Sequence, residues 1–519
     1  MAEPMDASTW NAARRLRRRR GCLLLVVLPL GVVSIMFAWA GLRLFDKPTV
    51  SRNFTAEFNA RFESIPDDQK AWPLLKQAII ERVAAQPADD LRLNWPTYPG
   101  GPMWAESAAH LDQLQPTLEK VRQAAAKPYL GRELSDRIDP EIAKAEAKAY
   151  GRPYVPDPPG DENPMMIDVL LPDLSYMRRF AQDLSVDTYM AAEVGQGERA
   201  MRNFEATLGL AHLTGESETL IGQLVQIAIE GLAERQLAQV LSNYPNLFNI
   251  DQLARLQHAF MSVGRPAPAP PEGLTRYDLN MTMERTFFYD MVQRSFSDDG
   301  HGNGHMTLEG ARLFNLINSN SDSHGDNFAG VAAALLSASR KETVQKYDDL
   351  MSRFEDAAAK RPWQRRPGEL LLDSEIEELR TSRFGQARYP LITLLMPALE
   401  RVALTKDLAD ARRDAAIASI ALARYFADHQ HYPATLADLL TDYLPALPLD
   451  PVDGQPLRYL LTPTGPVLYS LGFDEDDDQG RPSADPDHAQ PLTRSDSRTD
   501  TDGDWILYPA DMPTPEPEE

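Results

Sequence analysis

The stretch LTKDLADARRDAAIASIALARY, residues 404–425, decides the fold of the C-terminal part of this chain. Its apolar and small residues recur at alternating spacings of four and three, which places them on one face of a helix. These residues are Leu404, Leu408, Ala411, Ala415, Ala418, Leu422 and Tyr425. Because alanine side chains are short, a sheet or another helix can approach this face closely. The pattern predicts a long helix that stops after Asp428, with Tyr432-Pro433 as its exit.

After this helix the pattern changes to short β-forming runs separated by turn residues, which predicts a small antiparallel sheet. The predicted strands are residues 457–461, 467–471 and 502–507. A short helical segment, residues 436–443, comes before the first of them. An acidic run from Asp474 to Asp478 stands between the second and the third.

This order of signals resembles the soluble domain of the major pseudopilin of type II secretion. The matching residues are Ala421-Leu422, Tyr425, Tyr432-Pro433-Ala434-Thr435, Asp450-Pro451, Gly454-Gln455-Pro456, Tyr459, Tyr469-Ser470-Leu471-Gly472, Asp474 and Asp502-Gly503-Asp504 before Trp505. In those proteins the loop before the final strand binds calcium through carboxylates and backbone carbonyls. The resemblance therefore implies an α+β domain at residues 391–508, with Ca²⁺ bound by Asp474, Asp502 and Asp504. The alternative is a solvated acidic loop, which is what aspartate-rich runs usually form.

The chain also differs from that family. A pseudopilin begins with a short leader ending in glycine, followed by an apolar helix with glutamate at its fifth position. Here the comparable site is Gly21-Cys22, and the fifth residue after the glycine is Val26. A long helical region separates the apolar run from the pilin-like part, so packing into a pseudopilus is not expected.

Charge is distributed unevenly along the chain. The formal net charge of the 519 residues is −23, yet residues 1–45 hold seven arginines against Glu3 and Asp6. The remainder therefore carries −28, and this charge would repel nucleic acid as a partner of the large part. Cys22 is the sole cysteine, so the stability of the rest must come from packing rather than disulfides.

An apolar run from Gly21 to Leu42 follows the arginine cluster. At about 1.5 Å per residue such a run spans a hydrocarbon core of about 30 Å. The arginines predict a cytoplasmic basic tail, residues 1–20, and a single transmembrane helix, residues 21–42, in the inner membrane. The competing interpretation is a signal peptide cleaved after Ala40. Either way, the bulk of the chain is predicted to lie outside the cytoplasm.

In the middle of the chain, residues 48–390, the helical periodicity of apolar residues predicts a helical ectodomain with proline-rich loops. Trp72, Leu75, Ile79 and Val83, for example, form one helical face. A segment rich in Gly, Asn, Ser, Asp and His, residues 297–330, interrupts this pattern.

That segment is the strongest candidate for catalytic chemistry. Asp299-Gly300-His301 resembles the start of a calcium loop, but the acid required at the twelfth position is Gly310 here. Alternatively, this segment could bind a transition metal through Asp299, His301, His305 and His324. A solvated loop is the interpretation we favour. We find no serine-nucleophile elbow, zinc-protease motif or phosphate-binding loop in the sequence.

The sequence therefore predicts a mainly α ectodomain, a C-terminal α+β pilin-like domain, a single N-terminal transmembrane helix and an acidic disordered tail at residues 509–519. The predicted role is non-enzymatic: a membrane-anchored, extracytoplasmic structural or interaction protein, associated with secretion or the envelope, with protein partners. Two alternatives stay open. One is a metal-dependent envelope enzyme that uses the segment near Asp299, and the other is a helical scaffold unrelated to secretion.

Overall fold

The computed structural model describes residues 41, 46–85, 98–101, 103–158, 160–169, 171–262, 274–317, 334–366, 369–370, 373–396, 399–472, 474–482 and 503–509. This part of the chain is mainly helical and contains a small three-stranded antiparallel sheet. The coarse fold class predicted from the sequence is therefore confirmed.

The α-helices are numbered here in chain order. They are α1 Phe54–Glu63, α2 Trp72–Ala85, α3 Trp104–Ala125, α4 Pro140–Ala149, α5 Pro172–Glu193, α6 Gly197–Gly215, α7 Leu220–Asn243, α8 Ile250–Ser262, α9 Thr282–Ser295, α10 Leu308–Ile317, α11 Arg340–Ala358, α12 Asp373–Thr381, α13 Arg383–Arg388, α14 Pro390–Leu395 and α15 Leu399–His429. Short 3₁₀ helices lie at Asp67–Gln69, Met166–Asp168, Pro362–Gln364 and Leu436–Leu439. The strands are β1 Arg458–Thr462, β2 Gly465–Ser470 and β3 Trp505–Tyr508.

The predicted transmembrane helix lies outside the described residues, apart from Gly41. Among the helices that are described, none has the length and apolar character needed to cross a membrane.

Contacts along the chain divide it into two compact units. The small unit takes its described residues from Met1–Arg52, Phe288–Leu350 and Ser374–Pro397. The large unit takes its own from Asn53–Phe287, Met351–Asp373 and Ala398–Glu519. The large unit therefore contains both the helices α1 to α8 and the long helix α15 with the sheet.

In the small unit, the aromatic ring of Phe288 stacks on that of Tyr347, with 3.6 Å between centroids. The neighbouring Tyr289 hydroxyl donates to Asp348 at 2.6 Å. The Gln293 side-chain oxygen accepts from the amides of Ser51 and Arg52, each at 3.1 Å. The Gln293 hydrogen bonds join the segment before α1 to α9, and the aromatic and Tyr289 contacts join α9 to α11.

Two apolar clusters form the core of the large unit. One is built by α2, α3, α5 and α6, where the predicted face of Leu75, Ile79 and Val83 is buried. The other combines α6, α7 and α8 with the C-terminal half of α15 and with the sheet. In this second cluster Phe204 of α6 and Phe260 of α8 are within 6.3 Å of each other, centroid to centroid.

The long helix α15 confirms the predicted helix and its predicted face. Leu408, Ala411, Ala415, Ala418 and Leu422 are buried, and Ala418 is fully so. The helix extends five residues further toward the N-terminus than the predicted Leu404, and it ends where Gln430 takes a left-handed φ of 60°. The predicted domain 391–508 stays a prediction, and its long helix shares an apolar cluster with α6, α7 and α8.

The sheet has the order β1-β2-β3, and both pairings are antiparallel. A register shift between Leu468 and Tyr469 marks an irregularity in the β2–β3 pairing. Strand β3 packs on the long helix, because Trp505 shares a buried cluster with Leu408 and Ala411. The predicted helical segment 436–443 is a 3₁₀ helix at Leu436–Leu439.

Asp450 fastens the chain before β1 to the end of β2. Its side chain is fully buried and accepts from the Ser470 hydroxyl at 2.8 Å and from the Leu471 amide at 3.0 Å. The guanidinium of Arg458, in β1, donates to the same carboxylate at 3.0 Å. The Asp450-Pro451 pair singled out in the sequence thus holds the base of the hairpin.

We expect Ala418→Leu to lower the free energy of unfolding of the full-length chain by about 1–3 kcal/mol, because the extra carbons have no space in a packed interface. The matched control is Ala427→Leu on the same helix, where the alanine is exposed, and we expect it to stay within about 0.5 kcal/mol of wild type. Denaturant unfolding followed by circular dichroism measures both. Equal stability of the two variants would contradict the packing described for Ala418.

Candidate functional site

The acidic loop, residues 474–482, lies between the end of β2 and the start of β3. Asp504, just before β3, holds this loop to the sheet. Its buried carboxylate accepts from the Gly480 amide at 2.7 Å and the Asp478 amide at 3.4 Å, and its own amide donates to the Arg481 carbonyl at 2.9 Å. Burial, together with the nearby carboxylates of Asp477 and Asp478, raises the pKa of Asp504 to about 6, although the hydrogen bonds from the Gly480 and Asp478 amides lower it.

Three carboxylates of this loop converge. Asp474, Asp476 and Asp478 each offer one oxygen, and these oxygens lie within 4.8 Å of one another. Between Asp474 and Asp476 the chain turns at Glu475, which adopts a left-handed φ of 65°, and directly after Asp478 it turns again at Gln479, with a φ of 59°. Like charges at this separation repel, and a divalent cation bound by oxygen ligands would remove that repulsion.

The protein itself leaves coordinating capacity in this group. Asp474 Oδ2 accepts from the Gly503 amide at 2.9 Å, whereas its Oδ1 is buried without a hydrogen-bond partner. Asp478 Oδ1 pairs with the Arg481 guanidinium at 2.5 Å, and its Oδ2 is likewise buried without a partner. Buried acceptors normally have a donor, so two orphaned oxygens in one cluster call for an explanation.

The predicted ligand set was Asp474, Asp502 and Asp504. Asp474 belongs to the converging group. Asp504 lies beside it, but its carboxylate is engaged by backbone amides. Asp502 lies outside the described residues.

Asp476 and Asp478 were named in the sequence only as parts of an acidic run, not as ligands. Their signal is the alternating Asp-x-Asp-x-Asp spacing of residues 474–478. The same alternation supplies the first ligands of many calcium loops.

The segment near Asp299 does not form a comparable group among the described residues. Asp299 accepts from the amides of His301 at 2.8 Å and Asn303 at 3.0 Å, so its carboxylate caps its own loop. These backbone hydrogen bonds lower the pKa of Asp299. His305 lies 3.6 Å from the carboxylate of Asp46, measured from Nε2. His324 lies outside the described residues.

A second group of charges lies inside the large unit, and sequence patterns did not predict it. Five charged side chains of α15 are buried there. They are Lys406, Asp407, Asp410, Arg413 and Asp414. We call them the buried charges of the long helix.

Arg413 is the centre of this group. It is fully buried, donates to the Glu230 carboxylate of α7 and stacks its guanidinium on the Tyr277 ring, 3.9 Å from the centroid. The ring face supplies a further cation–π attraction in a dry environment. This pairing ties α15 both to α7 and to the segment that precedes α9.

The other buried charges have partners both on α15 itself and on other segments. Lys406 pairs with Asp410 of the same helix at 3.0 Å, whereas Asp410 accepts from the Tyr277 amide at 2.6 Å and Arg365 donates to Asp407 at 3.1 Å. Asp414 accepts from the Thr275 hydroxyl at 2.5 Å, and burial raises the pKa of Asp414 to about 7. The arrangement fastens α15 to the segments around it, and Asp407, Asp410 and Asp414 also line a small pocket with Arg361.

Comparisons with known proteins add no family to these observations: no protein-family model, no curated protein and no solved structure matches this chain.

Proposed function

We propose that this chain is a membrane-anchored, extracytoplasmic structural or interaction protein with a pseudopilin-like C-terminal part that binds Ca²⁺. The observation that carries the proposal is the order of elements after residue 399. A long helix packs against a small antiparallel sheet, and an acidic loop with converging carboxylates precedes the final strand. This order matches what the resemblance to pseudopilins implies.

Ca²⁺ is the cation that suits the acidic loop best. All three converging groups are carboxylates, and hard oxygen ligands of this kind favour Ca²⁺ over softer transition metals. The ligands we propose are Asp474, Asp476 and Asp478. Asp474 also accepts a hydrogen bond from the Gly503 amide, two residues before β3. A bound cation would therefore join the loop to the start of β3.

The proposed role is to present surfaces to protein partners rather than to carry out a reaction. The predicted anchor, residues 21–42, would hold the chain in the inner membrane with the helical units and the sheet outside the cytoplasm. Partners of secretion or envelope machinery fit this placement. The buried charges of the long helix support it, because their contacts join α15 to α7 and to the segments around Thr275 and Arg365.

We expect calcium to slow amide hydrogen exchange in residues 474–482 and 503–509 of the full-length chain, compared with chelator. Calcium at about one hundred times its dissociation constant stabilises the bound state by about 2.7 kcal/mol. The exchange rate of amides that are exposed when the loop opens should therefore fall by about a hundredfold. Exchange measured by mass spectrometry follows both segments directly.

Asp478→Asn should abolish this calcium effect, because it removes a ligand charge at an oxygen that lacks a partner. The matched control is Asp442→Asn, at an exposed aspartate outside the loop, which should keep the full effect. If wild type exchanges equally fast in calcium and in chelator, the aspartates form a solvated acidic loop and no metal centre.

The proposed role predicts that the full-length chain, tagged after Glu519 and isolated from native membranes, co-purifies with secretion or envelope components. The control is the same tag on residues 1–48 alone, which retains the predicted anchor and lacks the large unit and the helical segments of the small one. Mass spectrometry of the two isolates identifies partners specific to the ectodomain. Identical protein sets from both would contradict an interaction role.

A further inference from the structure

A cavity of about 320 Å³ lies within the large unit, among helices α5, α7 and α15. One side of it is aliphatic and includes Leu224, Ile227 and Leu232 of α7. We call these three residues the apolar wall. The other side carries three guanidinium groups, which belong to Arg178 of α5, Arg235 of α7 and Arg412 of α15. We call these the arginine rim.

The charge of this cavity opposes that of the chain. No acidic side chain is among the described residues that line it, although the whole chain has a formal charge of −23. Arg178 and Arg235 are exposed, whereas Arg412 is half-buried. Three cations gathered over an aliphatic surface, in an otherwise acidic protein, indicate a ligand with the opposite charge.

Arg412 is held rigidly at the rim. Its guanidinium lies over the ring of Trp505 in β3, 5.7 Å from the centroid. Burial lowers the pKa of Arg412, because a desolvated cation is less stable than a hydrated one.

Gly231 shows how closely two rim arginines approach each other. A Cβ atom at this position would lie 3.5 Å from Nη1 of Arg235 and 3.9 Å from Nη1 of Arg412. Both guanidinium groups therefore face the space that a side chain at Gly231 would occupy. The absence of a side chain keeps this part of the cavity open.

Glu234 is a buried polar group next to the two rim arginines near Gly231. It is only 4% exposed, and neither of its carboxylate oxygens has a hydrogen-bond partner. One of these oxygens would lie 4.0 Å from the same Cβ position at Gly231. Burial raises the pKa of Glu234 to about 8, although the guanidinium groups of Arg413, Arg412 and Arg235 lower it.

We propose that this cavity binds a small amphiphilic anion, with its head group on the arginine rim and its apolar body on the apolar wall. A carboxylate or phosphate head group suits guanidinium groups, which donate two parallel hydrogen bonds to such oxygens. The volume is at the lower end of the range for ligand pockets, which favours one short chain over a two-chain lipid. The site goes beyond the proposed function and involves none of the calcium ligands. The proposal of anion binding and the proposal of calcium binding can therefore fail separately.

Isothermal titration of the full-length chain tests the site with octanoate and octyl phosphate as probes. We expect at least one of the two to bind, and the stronger one identifies the head group. Neutral 1-octanol tests the need for the charge, and inorganic phosphate tests the need for the apolar body. No saturable binding of either amphiphile, or equally tight binding of octanol or inorganic phosphate, would overturn the proposal.

Variants of the cavity then locate the binding. Arg235→Gln should weaken binding by about tenfold or more, because a hydrogen bond to a charged group contributes about 1.5–3 kcal/mol. Arg255→Gln is the matched control, since it removes an equal charge from the exposed face of α8, away from the cavity lining. Some probe is lost to the detergent that keeps the full-length chain in solution. This loss is the same for both variants, so it cancels when their affinities are compared.

A second pair of variants at Gly231 leaves every charge in place. Gly231→Leu should block the space between the two guanidinium groups and abolish binding. Gly231→Ala introduces only ordinary van der Waals contacts and raises helix propensity, so it should fold and retain binding. Unchanged affinity in both Arg235→Gln and Gly231→Leu would place the probe elsewhere and overturn the assignment.

Discussion

The long helix carries charged side chains into the interior of the large unit, and this constraint governs how the surrounding segments are arranged. An ion that leaves water for a protein interior costs several kcal/mol unless partners compensate it there. Arg413 therefore requires Glu230 and Tyr277 at fixed positions, and Asp414 requires Thr275. Segments that are distant in the sequence supply partners for several of these charges, and these contacts hold the segments against the long helix.

The same constraint links the core to the C-terminal sheet. The opposite end of α15 packs its small residues against α8 and the sheet, while Trp505 of β3 meets Leu408 and the guanidinium of Arg412. The acidic loop begins and ends at this sheet, so its carboxylates are presented from a body that the buried charges hold in place. Both the proposed calcium centre and the arginine-rimmed cavity depend on the position of this one helix.

Much of this architecture could be predicted from local patterns. The alternation of small and apolar residues identified α15 and its buried face at Ala415 and Ala418, and β-forming runs identified the three strands to within a few residues. These signals are local, because the period of a helix or a strand is written in neighbouring residues.

The interior charges could not be found in the same way. In a sequence pattern, Lys406, Asp407 and Arg413 resemble the solvated face of an amphipathic helix. What makes them buried is a set of partners far away in the chain: Glu230 lies 183 residues before Arg413, and Thr275 lies 139 before Asp414. The carboxylates of the acidic loop had a local signal in the spacing of residues 474–478, but their convergence also involves a left-handed turn at Glu475.

A double-mutant cycle on Arg413 and Glu230 tests most directly whether the buried charges hold the large unit together. Denaturant unfolding of the full-length chain would compare Arg413→Met, Glu230→Leu and the double variant, with the exposed pair Arg255 and Glu205 as the reference cycle. Each single change leaves an uncompensated buried charge and should cost about 3–5 kcal/mol, while the double variant should recover most of that loss. The exposed pair should couple by no more than about 1 kcal/mol. Additive losses at Arg413 and Glu230, or single losses as small as those of the exposed pair, would contradict the account.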